Sequence, residues 1–347
     1  MQKHVFGAAV ALAFTFAGAA SAEEKIVISN WDAYMPEKFL ENFTKETGIQ
    51  AELSVHATNE EIMGKVMASG GKGYDVLFVS SPFAEVLNKQ QMLSPLDHAQ
   101  IPNFANLYPA AMKLPYDEGN TFSAPYTWGT TGLCYRSDLV KTEPTSWNDL
   151  LKPSADAKGK ITMLATDRWL MASGLKALGY SVNESDPAKV GEAKALLIAA
   201  KKNLLAYDDT TFYSKLVSGE AILVHAWDGW CNFGITENPK IKFVIPKEGS
   251  DMFVDTMVVP AASEHKAAAM KFINYVLSEA NGKAIAEFTL YKVPNQKGMA
   301  GVDPALLKQY PPLAISAEDL ARQEQLRDLG DAQKLYSKTV TEITSAN

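Results

Sequence analysis

The 347-residue chain is poor in the groups that catalysis most often uses, with five histidines and two cysteines. Histidines 4, 56, 98, 225 and 265 form no ligand-like pair, and HExxH, CxxC, GxSxG and a phosphate-binding glycine loop are all missing. The commonest zinc, dithiol, serine-hydrolase and nucleotide-dependent chemistries are therefore excluded. Gly70-Gly71-Lys72-Gly73 precedes a strand rather than opening a helix, so it reads as a turn. His225 lies in an apolar strand and reads as a hydrogen-bonded core residue. Basic residues are outnumbered, 33 against 40 acidic, for a net charge of −7. That balance argues against nucleic acid and anionic membrane surfaces, and it is compatible with cationic small molecules.

Long apolar runs are absent beyond the N-terminus, so no membrane span is expected. Lys3, the apolar run Val5 to Ala17 and Ala20-Ser21-Ala22 read as a secretory signal peptide over residues 1–22, cleaved after Ala22. No cysteine follows that site, which removes a lipid anchor from consideration. Cleavage leaves 325 residues (347 minus 22) and a net charge of −8 (32 against 40), because Lys3 is lost. That length exceeds one comfortable core, so two lobes are expected. Cys134 and Cys231 each sit in an apolar or aromatic run and read as two buried free thiols. A bridge in an oxidising compartment is the alternative.

Periodicity places a buried strand at Lys25 to Ser29 and a helix opened by Pro36, carrying Phe39, Leu40 and Phe43, and ended by Gly48. A strand over Ile49 to Val55, a helix capped by Asn59 and a strand over Tyr74 to Val79 follow. Strands alternating with helices predict an α/β fold with a mainly parallel sheet. Ala124 to Gly129 reads as a first crossing into a second lobe, and Asp255 to Pro260 as the return. The lobes then comprise 23–130 plus 256–312, and 131–255 plus 313–347 with the C-terminal helices. A lobe inserted in another through two crossings is a hinge design with a cleft between.

Aromatic and acidic residues recur where strands end. Asn30-Trp31-Asp32-Ala33-Tyr34 follows the first strand, Trp227-Asp228 follows another, and Phe253 and Asp255 lie two apart on an extended crossing. Ser80, Asp209 and Tyr291 add further polar and aromatic groups. Ring faces with carboxylates suit an organic ammonium, which takes cation–π contact and charge-assisted hydrogen bonds. Ligands of open α/β sheets collect beyond the carboxyl ends of strands, where these residues fall.

Several stretches carry a family resemblance over essentially the whole exported chain. They are Asn30 to Pro36, Phe43 to Ile49, Tyr74-Asp75, Pro125 to Gly129, Thr145 to Leu150, Leu178 to Ser181, Pro246 to Gly249 and Tyr291. In order and spacing they resemble the bacterial periplasmic polyamine-binding proteins of spermidine/putrescine ABC transport. The resemblance implies a two-lobed type II periplasmic-binding-protein fold and a periplasmic, monomeric, non-enzymatic protein. It also implies no cofactor or metal, and delivery of a cationic amine to an inner-membrane ABC permease. Trp31 and Tyr34 would line one end of the pocket with Asp32, and Ser80 would hydrogen-bond near the ligand. Trp227, Phe253 and Tyr291 would form aromatic walls, Asp255 would pair with an amine, and Asp228 would neighbour another carboxylate position. The chain departs from the pattern at Leu164-Ala-Thr-Asp-Arg-Trp169, where carboxylate positions become Thr166 and Trp169, and at Leu326. Asp209 falls near a pocket position, as if a carboxylate had moved. A shorter diamine or a non-polyamine amine with one cationic end is the alternative ligand, and a periplasmic amine sensor the alternative role.

Overall fold

The computed structural model describes residues 24–346, so the expected signal peptide lies outside the described residues. Among the described residues ten strands form the framework: β1 (Lys25–Trp31), β2 (Gln50–His56), β3 (Val76–Ser80), β4 (Ser123–Arg136), β5 (Ile161–Met163), β6 (Ala206–Tyr207), β7 (Leu223–Trp227), β8 (Ile241–Val244), β9 (Asp251–Val258) and β10 (Glu324–Gln325). They run side by side in the order β2-β1-β3-β9-β4-β7-β5-β6, with β10 on β9 and β8 on β4. The result is a two-lobed α/β fold of the type II periplasmic-binding-protein kind. In the first lobe β1 pairs in parallel with β2 and β3, and in the second β5 pairs in parallel with β6 and β7. Such pairs need helical crossovers, which cover the sheet faces and bury near-continuous apolar strands such as Val76–Ser80.

Two long antiparallel strands join the lobes. Seven of the first eight residues of β4 pair with β9, and its last residues pair with β7 and β8, so one 14-residue strand serves both lobes. The boundaries expected at 130/131 and 255/256 both fall inside these continuous strands. A bulge at Pro125/Thr127 absorbs Tyr126, next to a proline that has no N–H to give the ladder. A second polar link runs from the helix Ser81–Lys89, where Glu85 accepts hydrogen bonds from Arg327 Nε (3.0 Å), Arg327 Nη2 (2.7 Å) and Asp328 N (2.7 Å). The helix Ala332–Ser345 buries Tyr336, Val340 and Ile343 in the second lobe's core with Trp147, Leu170 and Leu197.

Local chemistry explains the element ends, with some corrections to the sequence reading. Gly48 closes the helix Phe39–Thr47 at φ 74°, a conformation that favours glycine. Pro36 does not open that helix directly: its carbonyl accepts from Phe39 N (3.2 Å) in a preceding turn, and Lys38 at φ 61° is the cap. Thr58, not Asn59, caps the helix Asn59–Ser69 by accepting from Glu61 N. His225 is fully buried but neither ring nitrogen has a partner, and the ring instead meets Trp147 edge-on at 5.1 Å. Burial holds its imidazole near a pKa of about 3, so it stays neutral.

The cysteines also correct the expectation of free thiols. Cys134 of β4 and Cys231 of the helix Asp228–Glu237 are bridged, with Cα atoms 6.0 Å apart across a sequence separation of 97. The bridge pins the second lobe's helix to the strand that crosses between lobes. Closing so long a loop limits the unfolded chain, and native disulfides typically stabilise by about 2–4 kcal/mol. Replacing both cysteines by alanine is expected to lower the unfolding free energy by about that amount in urea titrations. An unchanged midpoint would contradict the structural role.

Candidate functional site

The first residues to assemble lie on three neighbouring strands. Register sets Ser80 of β3 and Thr127 of β4 on either side of Asp255 in β9, in one row across the sheet. Directly opposed residues share a face, so the three side chains converge. Ser80 Oγ donates to Asp255 Oδ1 at 2.7 Å, and Tyr34 Oη donates to Oδ2 at 2.8 Å. Tyr34 Oη also lies 2.6 Å from Thr127 Oγ1. Asn59, released from capping, fixes Ser80 by accepting from its N–H (2.9 Å) and donating to its Oγ (3.1 Å). The bulged Tyr126 donates its hydroxyl to the Tyr34 carbonyl. That contact secures a loop in which Ala33 (φ 51°) and Lys38 (φ 61°) hold left-handed backbone.

Rings extend from this row. Trp31 meets Tyr34 edge-on at 5.6 Å, Tyr34 meets Tyr291 at 5.8 Å, and Tyr291 meets Phe253 at 5.9 Å. Two glycines permit the crowding. A Cβ on Gly229 would lie 2.5 Å from the Tyr291 ring, and one on Gly129 would lie 2.5 Å from Asp228 Oδ1 and 2.6 Å from Phe253 Cζ. Asp228 is buried at the start of its helix, accepting from Gly229 N at 2.8 Å and Thr130 N at 3.3 Å. Trp31, Ser80 and Trp227 are each the last residue of a strand, so the group gathers at the carboxyl edge of the sheet.

A second cluster sits on the other lobe. Trp227 meets Trp169 edge-on at 5.5 Å and lies 6.4 Å from Phe212. Asp209 accepts from Ala165 N (2.9 Å) and Thr166 N (3.4 Å), at the head of the helix Asp167–Ala177 that carries Trp169. A carboxylate therefore stands beside Thr166, one of the two positions where the resemblance implied acids. Leu326 is buried and bonds through its backbone to Met252. Asp32 is exposed and accepts from its neighbour Ala33 N at 3.0 Å, apart from the buried row. Asn59 is read from sequence only as a helix cap, and Thr127, Tyr126 and the two glycines are not singled out as site residues. Only the strand register marks Thr127, because it reveals which residue stands across from Asp255.

Burial dominates the electrostatics. It lifts the Asp228 carboxyl to about 8, against the helix-start N–H groups that pull the other way. It also raises Asp255, despite bonds from Ser80, Tyr34 and Thr127, and it raises Asp209 and Asp251. Tyr34 and Tyr291 are pushed well up by burial and then by the nearby Asp255 and Asp228 charges. Among the described residues no salt bridge reaches Asp209, Asp228, Asp251 or Asp255. Lys292, which follows Tyr291 in sequence, is buried with its ammonium 5.6 Å from the Tyr108 ring, and burial lowers it to about 8. Among the described residues no group of histidine, cysteine and acidic side chains could hold a metal.

A carboxyl raised from 3.8 to about 8 on folding favours the proton-bound native state. Its contribution is complete below pH about 4 and is lost as pH rises through about 8. Relative to Asp228→Asn, the empty wild-type protein is therefore expected to lose stability across that interval in denaturant titrations. Parallel pH profiles for the two proteins would contradict the burial argument.

Comparison with known proteins agrees with this architecture. The family model described as bacterial extracellular solute-binding protein matches residues 38–314. The spermidine/putrescine-binding periplasmic protein of Salmonella typhimurium is 31% identical over 343 residues, covering 97% of this chain and 96% of the relative. The putrescine-binding periplasmic protein PotF of Escherichia coli is 30% identical, over 87% of each chain. The crystal structure of the spermidine/putrescine substrate-binding protein PotD from Streptococcus pneumoniae superposes with a TM-score of 0.80 at 27% identity, covering 92% of this chain and 98% of that one. Among the described residues no helix is long and apolar enough to cross a membrane. The chain belongs to the bacterial extracellular solute-binding protein family.

Proposed function

We propose that this protein captures a cationic amine of the putrescine or spermidine class in the periplasm and hands it to an inner-membrane ABC permease. The observation that carries the reading is the buried Asp255 carboxylate, held by Ser80 and Tyr34, walled by rings and reached by no salt bridge among the described residues. An ammonium group supplies the missing charge and donates to the carboxylate, while Trp31, Tyr34, Phe253 and Tyr291 offer π faces to it and to its methylenes. Asp228 and Asp209 serve the same ligand from the second lobe, where Trp227 stacks. Asp32, at the exposed rim, adds attraction for an approaching cation. The names of the relatives support the same ligand class. No bond is made or broken, no cofactor or metal takes part, and the protein works as a monomer.

Capture involves closure of the lobes, 23–130 plus 256–312 against 131–255 plus 313–347, about the paired β4 and β9. Solution X-ray scattering is expected to show a smaller radius of gyration with saturating putrescine than without it. An unchanged radius would count against hinge closure.

Removing one partner of a buried, charge-assisted hydrogen bond costs about 2–5 kcal/mol. Asp255→Ala is therefore expected to weaken putrescine binding more than tenfold in calorimetry. Equal affinity in wild type and variant would place the ligand elsewhere. A thermal-shift screen in which anions, but no cationic amine, raise the melting temperature would overturn the ligand class.

A further inference from the structure

Residues 324–328, β10 and the three that follow it, are gripped from both lobes. β10 pairs with β9, and Leu326 N donates to the Met252 carbonyl at 3.0 Å. On the second-lobe side Glu324 accepts from Lys176 Nζ (2.7 Å) and Val182 N (3.0 Å). Asn183 accepts from Arg327 N (2.9 Å) and donates to the Gln325 carbonyl (2.8 Å), and the buried Arg168 donates to the Arg327 carbonyl (2.5 Å). On the first-lobe side the main partners are charged side chains of the helix Ser81–Lys89. Both oxygens of the buried Glu85 are taken up by the segment, Oε1 by the Arg327 guanidinium and Oε2 by Asp328 N. Lys89, one turn further along the helix, donates to Asp328 Oδ2 at 2.6 Å. An acid and a base on the helix thus meet a base and an acid on the segment.

The helices on either side of this segment also reach the cleft. Ser81–Lys89 starts directly after Ser80, which bonds Asp255, and Asp167–Ala177 carries Arg168 two residues beyond Thr166, whose N–H bonds Asp209. In the arrangement seen here the walls meet, with the Tyr291 ring of the first lobe packed on Gly229 of the second. The segment's second-lobe bonds run largely through its own backbone and through β9, so it travels with that lobe when the two part about β4 and β9. What has to separate is the charged contact with Glu85 and Lys89. We infer that Glu85 and Lys89, paired with Arg327 and Asp328, form a latch between the lobes that is made when the cleft is shut and broken when it opens. These four residues belong to neither wall of the cleft, and they set amine affinity through the fraction of molecules that is shut. This inference rests on the amine reading and on the hinge closure proposed above.

Calorimetry with putrescine and X-ray scattering of the ligand-free protein, both on the full exported chain, test it. Glu85→Gln and Arg327→Gln are each expected to weaken putrescine binding about five- to tenfold. The double variant is expected to stay within about twofold of either single one, because the two residues act as one pair. Ligand-free Glu85→Gln is expected to have a larger radius of gyration than ligand-free wild type, a difference that a loss of fold stability alone does not produce in a protein with an intact melting transition. Lys89→Gln removes only the exposed half of the latch and is expected to weaken binding about two- to fivefold. Wild-type affinity in Glu85→Gln and Lys89→Gln, or losses that multiply in the double variant, overturns the latch and leaves the amine reading intact. If wild type binds no putrescine, the amine reading falls, and the ligand-free radii decide the latch: equal radii overturn it. Should Glu85→Gln not fold, as judged by its melting transition, Lys89→Gln decides by both measurements.

Discussion

Asp255 is a carboxylate taken out of water, and among the described residues no salt bridge meets it. Charged groups in such surroundings either neutralise or find a partner. The surrounding structure is arranged to keep the oxygens available rather than to cancel the charge. Ser80 and Tyr34 donate neutral hydroxyls, Asn59 orients Ser80, and Tyr126 anchors the loop that delivers Tyr34. Neutral donors hold the carboxyl in place yet leave its countercharge to be supplied from outside. The same row depends on β9 lying between β3 and β4, and those strands are also what joins the lobes. Binding chemistry and lobe connection therefore rest on one stretch of sheet.

The second lobe meets this row with different chemistry. Asp228 sits at a helix start and takes backbone N–H groups, and Asp209 does the same at the head of another helix. Carboxylates held by backbone donors are weaker counter-ions than one held by hydroxyls, because the helix ends already oppose part of their charge. The Cys134–Cys231 bridge then ties the helix bearing Asp228 to the crossing strand β4, which fixes that wall relative to the hinge. The asymmetry between the ends follows from which element supplies each acid.

Much of this was legible in the sequence, because the signals were local. Apolar runs just ahead of Trp31, Ser80 and Trp227 predicted strands, and the structure carries each strand on to that residue, so that all three sit at one sheet edge. Phe253 and Asp255, two apart on an extended segment, share a face by the pleat alone. What escaped the reading depends on tertiary placement. Thr127 matters because a bulge puts it, and not Tyr126, opposite Asp255. Gly129 and Gly229 matter because of rings and carboxylates that arrive from distant chain segments. The cysteine bridge was only the second reading because apolar surroundings, which suggest a buried thiol, also surround a buried disulfide. Asn59 was misread because Thr58 and Asn59 are both able caps, and only the structure shows that Ser80 claims the amide.

The most direct test is a crystal structure of the exported chain grown with putrescine. The account predicts a ligand nitrogen at about 2.7–2.9 Å from an Asp255 carboxylate oxygen, with the Tyr34 and Tyr291 rings beside it and the lobes closed. Putrescine bound away from Asp255, or an anion seated in the ring-walled cleft in its place, would contradict it.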